Sequence, residues 1–323
     1  MELTTTVKTA IRSAAGRLYG HSPRFASDLA GKALILMYHR VIPRSEVAST
    51  FVQPGMFVTP ETFDRHLRFL TAHFDVVSFA ELLTRWRDGA WDPRARYCTI
   101  TFDDGWLDNY QYAFPLLRKY GAPATIFLPT DLIGTSAWLW FDRLSHVLHR
   151  YGCVNGRLDV GVMDRIVERA KSLGEMARDD FICAIADEAG VALPESRRFI
   201  DWSEARDMSS HGLAFGSHTC THAMLSRLDP ASLDRELRRS REVLEEQDVA
   251  SVPVLAYPNG DHDDAVVHAA RAAGYQAAVT TNPGPESGRP ADLLRLKRIG
   301  LHEDVTRSIP LFMFHIGCQV WPS

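Results

Sequence analysis

Short apolar runs that alternate with helical patterns restrict the fold of this sequence more than any other feature. The runs are rich in β-branched and aromatic side chains and are typical of buried strands. They occupy residues 33–39, 97–102, 122–129, 213–218, 252–258, 276–281 and 295–301. Strands that are repeatedly followed by helices predict parallel βα units. We therefore expect an α/β fold whose sheet either closes into a barrel or stays open.

Helix start signals lie between the predicted strands. Thr59 precedes Pro60 and an apolar pattern of helical period, which predicts a helix over 59–74. Ser78 and Glu81 form a capping box for a second helix, and Asp229 precedes a third that begins at about residue 230. These signals support the alternation of strands and helices.

One stretch breaks the alternation. Residues 135–200 contain two helix-like segments without a convincing strand, and we predict a helical insertion that acts as a lid or substrate platform. We divide the chain into an N-terminal helical extension, 1–32, and a domain over 33–323 that carries this insertion. Residues 4–19 form a weakly amphipathic pattern, which predicts a helix packed on the domain, with peripheral membrane contact as the alternative.

Composition excludes several functional classes. A formal net charge of −4 gives no basic footprint for nucleic acid. Five cysteines without a C-x-x-C pair indicate reduced thiols rather than disulfides or a cysteine–zinc site. Lys8, Arg12 and Arg17 interrupt the first segment, so we predict neither a cleaved signal nor a membrane span. We expect a cytoplasmic protein, with the inner membrane face as the alternative location.

Two adjacent carboxylates, Asp103 and Asp104, end the strand 97–102 and precede Gly105. Like charges repel, and each is destabilising if it is desolvated alone. The pair fits a site in which one carboxylate binds a cation and the other stays free as a base. The alternative is a solvated acidic loop that opens the next helix.

Two histidines follow another predicted strand. His218 and His222 are four residues apart, so a tight loop or helical turn would direct both imidazoles the same way. Together with one carboxylate they would make a three-ligand site for a divalent metal. Surface histidines are the alternative. If the sheet is parallel, both motifs lie at the carboxyl ends of its strands, where βα proteins place their sites.

Two further strand ends are candidates. The strand that leads into Tyr257, Pro258 and Asn259 either ends in a simple turn or exposes a backbone N–H near Asn259 for a developing oxyanion. His39 ends the first strand and is either a hydrogen-bonded rim residue or a proton donor at the same mouth.

These motifs resemble those of the polysaccharide deacetylases, also called carbohydrate esterase family 4. The resemblance rests on "TFDDG" at 101–105 and "SHTCTH" at 217–222, and it covers about 33–304. "LMYHRV" and "AYPNG" resemble the branch with poly-N-acetylglucosamine and exopolysaccharide deacetylases.

The resemblance implies a distorted (β/α) barrel with about seven strands, and a hydrolase that releases acetate from an N-acetylated saccharide. It further implies Asp104, His218 and His222 as ligands of a divalent metal, usually zinc, with Asp103 as the general base.

The sequence departs from the family pattern at two points. Ala256 stands where the usual motif has an arginine that steadies the base, and Arg298 is our candidate replacement. The late leucine-x-leucine-histidine motif has no clean match except at His302. The branch resemblance places the general acid on the first strand, so we prefer His39.

Other functions remain open at this stage. A saccharide-binding barrel without activity is the first alternative. Hydrolysis of another non-peptide C–N bond is the second. A non-haem iron oxygenase is the third, since two histidines and one carboxylate also bind that iron.

Overall fold

The computed structural model describes residues 5–49, 52, 55–155, 160–193 and 195–320. The strands are β1 (Lys32–Tyr38), β2 (Arg40–Val41), β3 (Phe57–Val58), β4 (Asp75–Val76), β5 (Arg96–Phe102), β6 (Ala124–Leu128), β7 (Ala214–Ser217), β8 (Ser251–Ala256), β9 (Ala277–Pro283), β10 (Glu286–Ser287) and β11 (Leu296–Gly300). The helices are α1 (Thr5–Gly20), α2 (Pro23–Leu29), α3 (Arg44–Ser49), α4 (Pro60–His73), α5 (Phe79–Asp88), α6 (Phe114–Tyr120), α7 (Trp140–Asn155), α8 (Val160–Ser172), α9 (Glu175–Ala189), α10 (Trp202–Ser210), α11 (Pro230–Glu246), α12 (Asp264–Ala272), α13 (Glu303–Thr306) and α14 (Ile309–Val320).

Seven parallel strands close into a barrel. Around the barrel the order is β1, β5, β6, β7, β8, β9 and β11, and β11 pairs with β1 again. Every neighbouring pair in this ring is parallel. The predicted α/β class and the distorted barrel of about seven strands are confirmed.

The pairing of β1 with β5 is the longest in the barrel and joins two strands that are distant in sequence. Its register runs from Lys32 opposite Arg96 to Tyr38 opposite Phe102. The N–H of Asp103 then donates to the Tyr38 carbonyl at 3.0 Å. The residues that follow the two strands therefore lie side by side at the mouth of the barrel.

Helices cover the barrel because strands and helices bury their apolar faces together. Leu237 of α11 and Val266 of α12, for example, pack in one cluster with Leu255 of β8. Two predicted N-caps are present, since Thr59 accepts from the Thr62 N–H and Ser78 accepts from the Glu81 N–H. The Glu81 carboxylate binds Arg85, so the Ser78 cap is observed without the second half of the predicted capping box.

The chain divides into two compact units. The first comprises 1–42, 55–134 and 199–323 and contains the barrel. The second comprises 43–54 and 135–198. Its helices α7, α8 and α9 enclose a small core of their own, made by Leu144, Leu148, Ala170 and Ile182.

The first helix packs against the last. Gly16 of α1 lies so close to Pro310 of α14 that a Cβ there would come within 1.8 Å of the Pro310 carbonyl oxygen. Gly20 lies similarly against the Met313 side chain.

Among the described residues, no helix has the length and apolar character that crossing a bilayer requires. The expected cellular location stays a prediction.

Candidate metal centre and catalytic site

Three loops at the carboxyl ends of barrel strands bring the candidate residues together. Asp103 and Asp104 follow β5, His218 follows β7, and His39 follows β1. Parallel strands that run in one direction around a barrel end at the same rim, which explains why residues so distant in sequence meet. All four are buried or largely buried.

The three predicted metal ligands form a compact cluster. Asp104 Oδ1 lies 3.4 Å from His218 Nε2 and 3.5 Å from His222 Nε2. The candidate ligand atoms all lie within 4.8 Å of one another. The imidazole rings are nearly perpendicular, with centroids 4.8 Å apart. Both imidazoles thus have their Nε2 atoms within 3.5 Å of the same carboxylate oxygen.

Unusual backbone conformations produce this convergence. Two of the three candidate ligands have positive φ, 74° at Asp104 and 61° at His222. Thr219, between the two histidines, has φ 67°, so the loop turns tightly instead of forming a helix. Non-glycine residues rarely adopt this region, and such strain concentrates at functional sites.

Hydrogen bonding fixes the tautomer of His218. Its Nδ1 lies 2.7 Å from the Ala256 carbonyl oxygen, which can only accept, so Nδ1 carries the proton and Nε2 carries a lone pair. Burial lowers the pKa of His218, but the Asp104 carboxylate more than offsets it and raises the pKa above the ordinary value. Burial and the neighbouring His218 lower the pKa of His222 to about 4.

Asp104 is held as a carboxylate. Burial alone would raise its pKa, but His218, His222 and His39 together hold the pKa well below the ordinary value. The Trp106 indole N–H donates to Asp104 Oδ2 at 2.9 Å, which leaves Oδ1 directed at the two imidazoles.

This donor set fits a divalent ion. The separations of 3.4 and 3.5 Å exceed those of an ordinary imidazole–carboxylate hydrogen bond. Two ligands bound about 2.0–2.1 Å from a tetrahedral ion lie about 3.4 Å apart, in agreement with the observed spacing. Two neutral imidazoles and one carboxylate suit several divalent metals, so the cluster supports a metal site without identifying the metal.

Asp103 pairs with a buried arginine instead of joining the three candidate metal ligands. Both guanidinium ends of Arg298 donate to its carboxylate at 2.7 Å, in a bidentate arrangement. The arginine also donates to the Thr280 carbonyl at 2.9 Å, so its orientation is fixed by three donors. Burial would raise the pKa of Asp103, but Arg298 lowers it below the ordinary value.

Of the two histidines considered as the proton donor, His39 and His302, it is His39 that lies beside Asp103. Its Nε2 is 3.9 Å from Asp103 Oδ2, and its side chain is 18% exposed. Burial lowers the pKa of His39, while Asp103 and Asp104 oppose the shift. His302 caps α13, and its Nδ1 lies 3.4 Å from Asp304.

A brace around His39 was not anticipated from the sequence. The Asn109 amide donates to the His39 carbonyl at 2.8 Å. Asp108 accepts from the Arg40 guanidinium at 2.9 Å and from the Val41 N–H at 2.8 Å. Asp108 and Asn109 lie at the start of a π-helical turn over Asn109–Ala113, a local form that is frequent at functional sites.

The contacts around His39 extend to Asp104, one of the three candidate metal ligands. The Arg40 guanidinium lies 4.4 Å from the centre of the Trp106 ring, and Trp106 in turn donates to Asp104. The parts of this brace follow strand ends in the sequence, at 40–41 and 106–109, which is the signal that could have found them.

A second unanticipated brace holds the histidine loop. Glu236 of α11 is buried, and its Oε2 accepts from the N–H groups of Cys220 and Thr221 at 2.8 and 3.0 Å. Its Oε1 accepts from the Thr221 hydroxyl at 2.9 Å. The detectable signal was a carboxylate on the apolar face of this helix, between Leu233 and Leu237.

In the loop after β8, the first two side chains are buried. The Tyr257 ring is completely buried, and its hydroxyl donates to the Leu294 carbonyl at 3.0 Å. Pro258 is also buried. The N–H groups of Tyr257, Gly260 and Asp261 donate to backbone carbonyls. Asn259 itself is exposed, with φ 56°.

Comparison with known proteins gives a consistent family. The family model described as "Polysaccharide deacetylase" matches residues 91–278. Asp103, Asp104, His218 and His222 lie inside this range, whereas His39 and Arg298 lie outside it.

Two curated relatives match different shares of the chain. The protein named "Putative polysaccharide deacetylase YxkH" of Bacillus subtilis is 25% identical over 260 residues, which are 79% of this chain and 67% of that protein. Poly-beta-1,6-N-acetyl-D-glucosamine N-deacetylase of Staphylococcus epidermidis is 31% identical over 122 residues, which are 35% of this chain and 41% of that protein.

A solved structure extends the likeness to the fold. The Streptococcus pyogenes deacetylase PplD, in complex with acetate, superimposes with a TM-score of 0.61 at 23% identity. The match covers 88% of this chain and 98% of that one.

Proposed function

The chain belongs to the polysaccharide deacetylase family, and from this we propose that it is a metal-dependent N-deacetylase. It would remove N-acetyl groups from amino sugars of a polysaccharide or glycan precursor and release acetate. The relative from Staphylococcus epidermidis is named as an N-deacetylase of poly-N-acetylglucosamine, which supports an N-acetylated sugar as the substrate.

One observation carries the proposal: two adjacent buried carboxylates have separate partners. Asp104 faces two imidazoles, and Asp103 faces a guanidinium. This division supports one carboxylate as ligand and one as base, the arrangement that a metal-assisted hydrolase needs. It favours hydrolysis over the oxygenase alternative, which has no use for a second, separately held carboxylate.

Asp104, His218 and His222 would hold the ion, for which we propose zinc. A bound divalent ion supplies Lewis acidity, which polarises a carbonyl oxygen and lowers the pKa of a water molecule. Asp103, ionised through Arg298, takes the proton from the attacking water. The N–H of Asn259, a residue on the surface, is the proposed donor to the oxyanion that develops on the acetyl group.

His39 is the proposed proton donor to the departing amine. Burial lowers the pKa of His39, which favours the neutral imidazole before the reaction. Negative charge that develops on the substrate raises the pKa of a nearby imidazole and favours proton uptake by His39. His39 Nε2 lies 3.9 Å from Asp103 Oδ2, so the two side chains must approach each other for the proton taken up by Asp103 to pass to His39.

Asp103→Asn tests this function. Acetate release from N-acetylglucosamine oligomers should fall at least about a hundredfold, because the variant has no base. Zinc affinity should stay near that of the wild type, since Asp104, His218 and His222 are unchanged. Acetate would be measured by enzymatic assay and zinc by competition with a chelator.

A matched Asp104→Asn variant should lose both zinc affinity and turnover. Full activity of Asp103→Asn would refute the role of the base. A wild type that binds the oligomers without releasing acetate would instead establish the non-hydrolysing, saccharide-binding alternative.

A further inference from the structure

Exposed apolar side chains concentrate on one helix of the molecule. Among the described side chains, the exposed large apolar residues are Val7, Ile11, Leu18, Met176 and Leu293. The first three belong to α1 and are 41%, 54% and 76% exposed. Their spacing of four and seven positions places them on one stripe of the helix.

The opposite face of α1 is already occupied. Gly16 and Gly20 lie directly against Pro310 and Met313 of α14. Tyr19, on the same side, is 6% exposed. The helix therefore cannot turn its apolar stripe inward without abandoning a closely fitted contact, and the stripe faces outward in the folded protein.

Basic residues flank this stripe. Lys8 and Arg12 each follow a stripe residue by one position, and Arg17 precedes Leu18 by one. One position is about 100° around a helix, so the cations lie on both sides of the stripe. Residues 5–29 contain four basic residues and one acidic residue (Lys8, Arg12, Arg17 and Arg24 against Asp28), although the whole chain has a net charge of −4.

We propose that the outward face of α1, formed by Val7, Ile11 and Leu18 with their basic flanks, binds the surface of an anionic lipid bilayer. An apolar stripe between cations matches the acyl boundary and the negative headgroups of such a surface. The helix would lie in the interface, since it lacks the apolar character to cross. A second copy of the chain fits less well, because two such faces would bring like charges together.

Vesicle co-sedimentation tests the proposal. The full chain should bind vesicles of equal phosphatidylglycerol and phosphatidylcholine at least about tenfold more tightly than pure phosphatidylcholine vesicles. The double variant Ile11→Glu/Leu18→Glu should bind the anionic vesicles at least about tenfold more weakly, because it places carboxylates in the stripe. Met176→Glu, which changes an exposed apolar residue elsewhere, should bind like the wild type.

Controls separate this inference from the proposed enzymatic activity. The catalytic variant Asp103→Asn should bind vesicles as the wild type does. The double variant should unfold at the wild-type temperature and release acetate from soluble oligomers at the wild-type rate. The proposal is overturned if the wild type ignores anionic vesicles, if neutral vesicles bind equally well, or if sedimentation velocity shows that the stripe holds a dimer which the double variant dissociates.

Discussion

At the scale of single residues, the site is defined by how buried charges are paired. Arg298 lies on β11, Asp103 directly follows β5, and both are almost fully buried. Their bidentate contact supplies the guanidinium that Ala256 cannot provide at the family's usual arginine position. The same ionic contact is reached here from another strand of the barrel.

We predict that Arg298→Met destabilises the protein by about 3–5 kcal/mol, because Asp103 is left buried without its partner. The pKa of Asp103 should rise. The acid limb of the pH profile should therefore shift to higher pH by about one to three pH units. Chemical denaturation and the pH profile of kcat/KM measure the two effects.

Two further variants check that interpretation. Lys297→Met, an exposed neighbour on β11, should change neither quantity. Arg298→Met/Asp103→Asn should recover part of the lost stability, since the buried charge is gone. An unchanged acid limb in Arg298→Met would contradict control of the base by the arginine.

Glu236 is predicted to control metal affinity without contacting the metal. Glu236→Ala leaves the N–H groups of Cys220 and Thr221 without their acceptor, so the loop that carries His218 and His222 should loosen. We expect zinc affinity to fall about 10–100-fold, as for other residues that orient metal ligands. Chelator competition measures the loss.

Glu236→Gln should lose much less, because its amide oxygen can still accept both N–H groups while its NH₂ donates to the Thr221 hydroxyl. Glu242→Ala, at an exposed position of the same helix, is the matched control. Equal affinities in Glu236→Ala and the wild type would show that the loop holds its shape unaided.

At the scale of elements, a buried histidine joins a strand and two helices. His66 of α4 lies with Nε2 2.7 Å from the Thr306 carbonyl of α13 and with Nδ1 3.0 Å from the Tyr38 hydroxyl of β1. The carbonyl can only accept, so Nε2 carries the proton and Nδ1 accepts from tyrosine. Both contacts require the neutral ring, and burial lowers the pKa of His66 to about 4.

This pKa predicts a dependence of stability on pH. An unfolded histidine has a pKa near 6.5, so between pH 6.5 and 4 the unfolded chain binds the proton and the folded protein does not. Stability should therefore fall as the pH falls through this window, by up to about 3 kcal/mol from His66. His66→Gln should show a smaller fall, and His73→Gln, an exposed change on α4, should behave like the wild type. Parallel curves for all three proteins would contradict this assignment.

The sequence predicted the barrel strands well and the contacts between them poorly. β1, β5 and β6 were recognised because their apolar runs are rich in β-branched or large apolar residues, whereas the short β7 (AFGS) was recognised from its place before the histidine motif. The two-residue strands β2, β3, β4 and β10 were missed, since so short a pairing leaves no periodic signal. The partner of Asp103 stands 195 positions away, and Arg298 was proposed for that role from the family resemblance, since no local pattern joins the two residues.

At the scale of the whole molecule, the two compact units suggest that the barrel folds by itself. The residues on either side of the second segment of the smaller unit meet, because the Gly134 N–H donates to the Ile200 carbonyl at 3.0 Å. A short linker could therefore replace residues 135–198 without stretching the barrel.

We predict that this replacement leaves cooperative thermal unfolding and changes zinc affinity by less than about tenfold, as expected for an independent folding unit. Activity on short oligomers and on long polymers would then report whether the segment selects the substrate, as its predicted role as lid or platform requires. Loss of cooperative unfolding would mean that the barrel depends on the excised segment.

The strands that close the barrel, β1 and β11, also limit how short an active fragment of this protein can be. The stretch 91–278 that matches the family model omits β1 and β11, which are neighbours in the ring, and most of β9. A fragment confined to that stretch would contain all three candidate metal ligands, yet it would have two unpaired strand edges and neither His39 nor Arg298. Such a fragment could still bind the ion, but it would be inactive and prone to aggregate through its unpaired strands. The residue range that a family model matches is therefore too narrow for expressing this protein.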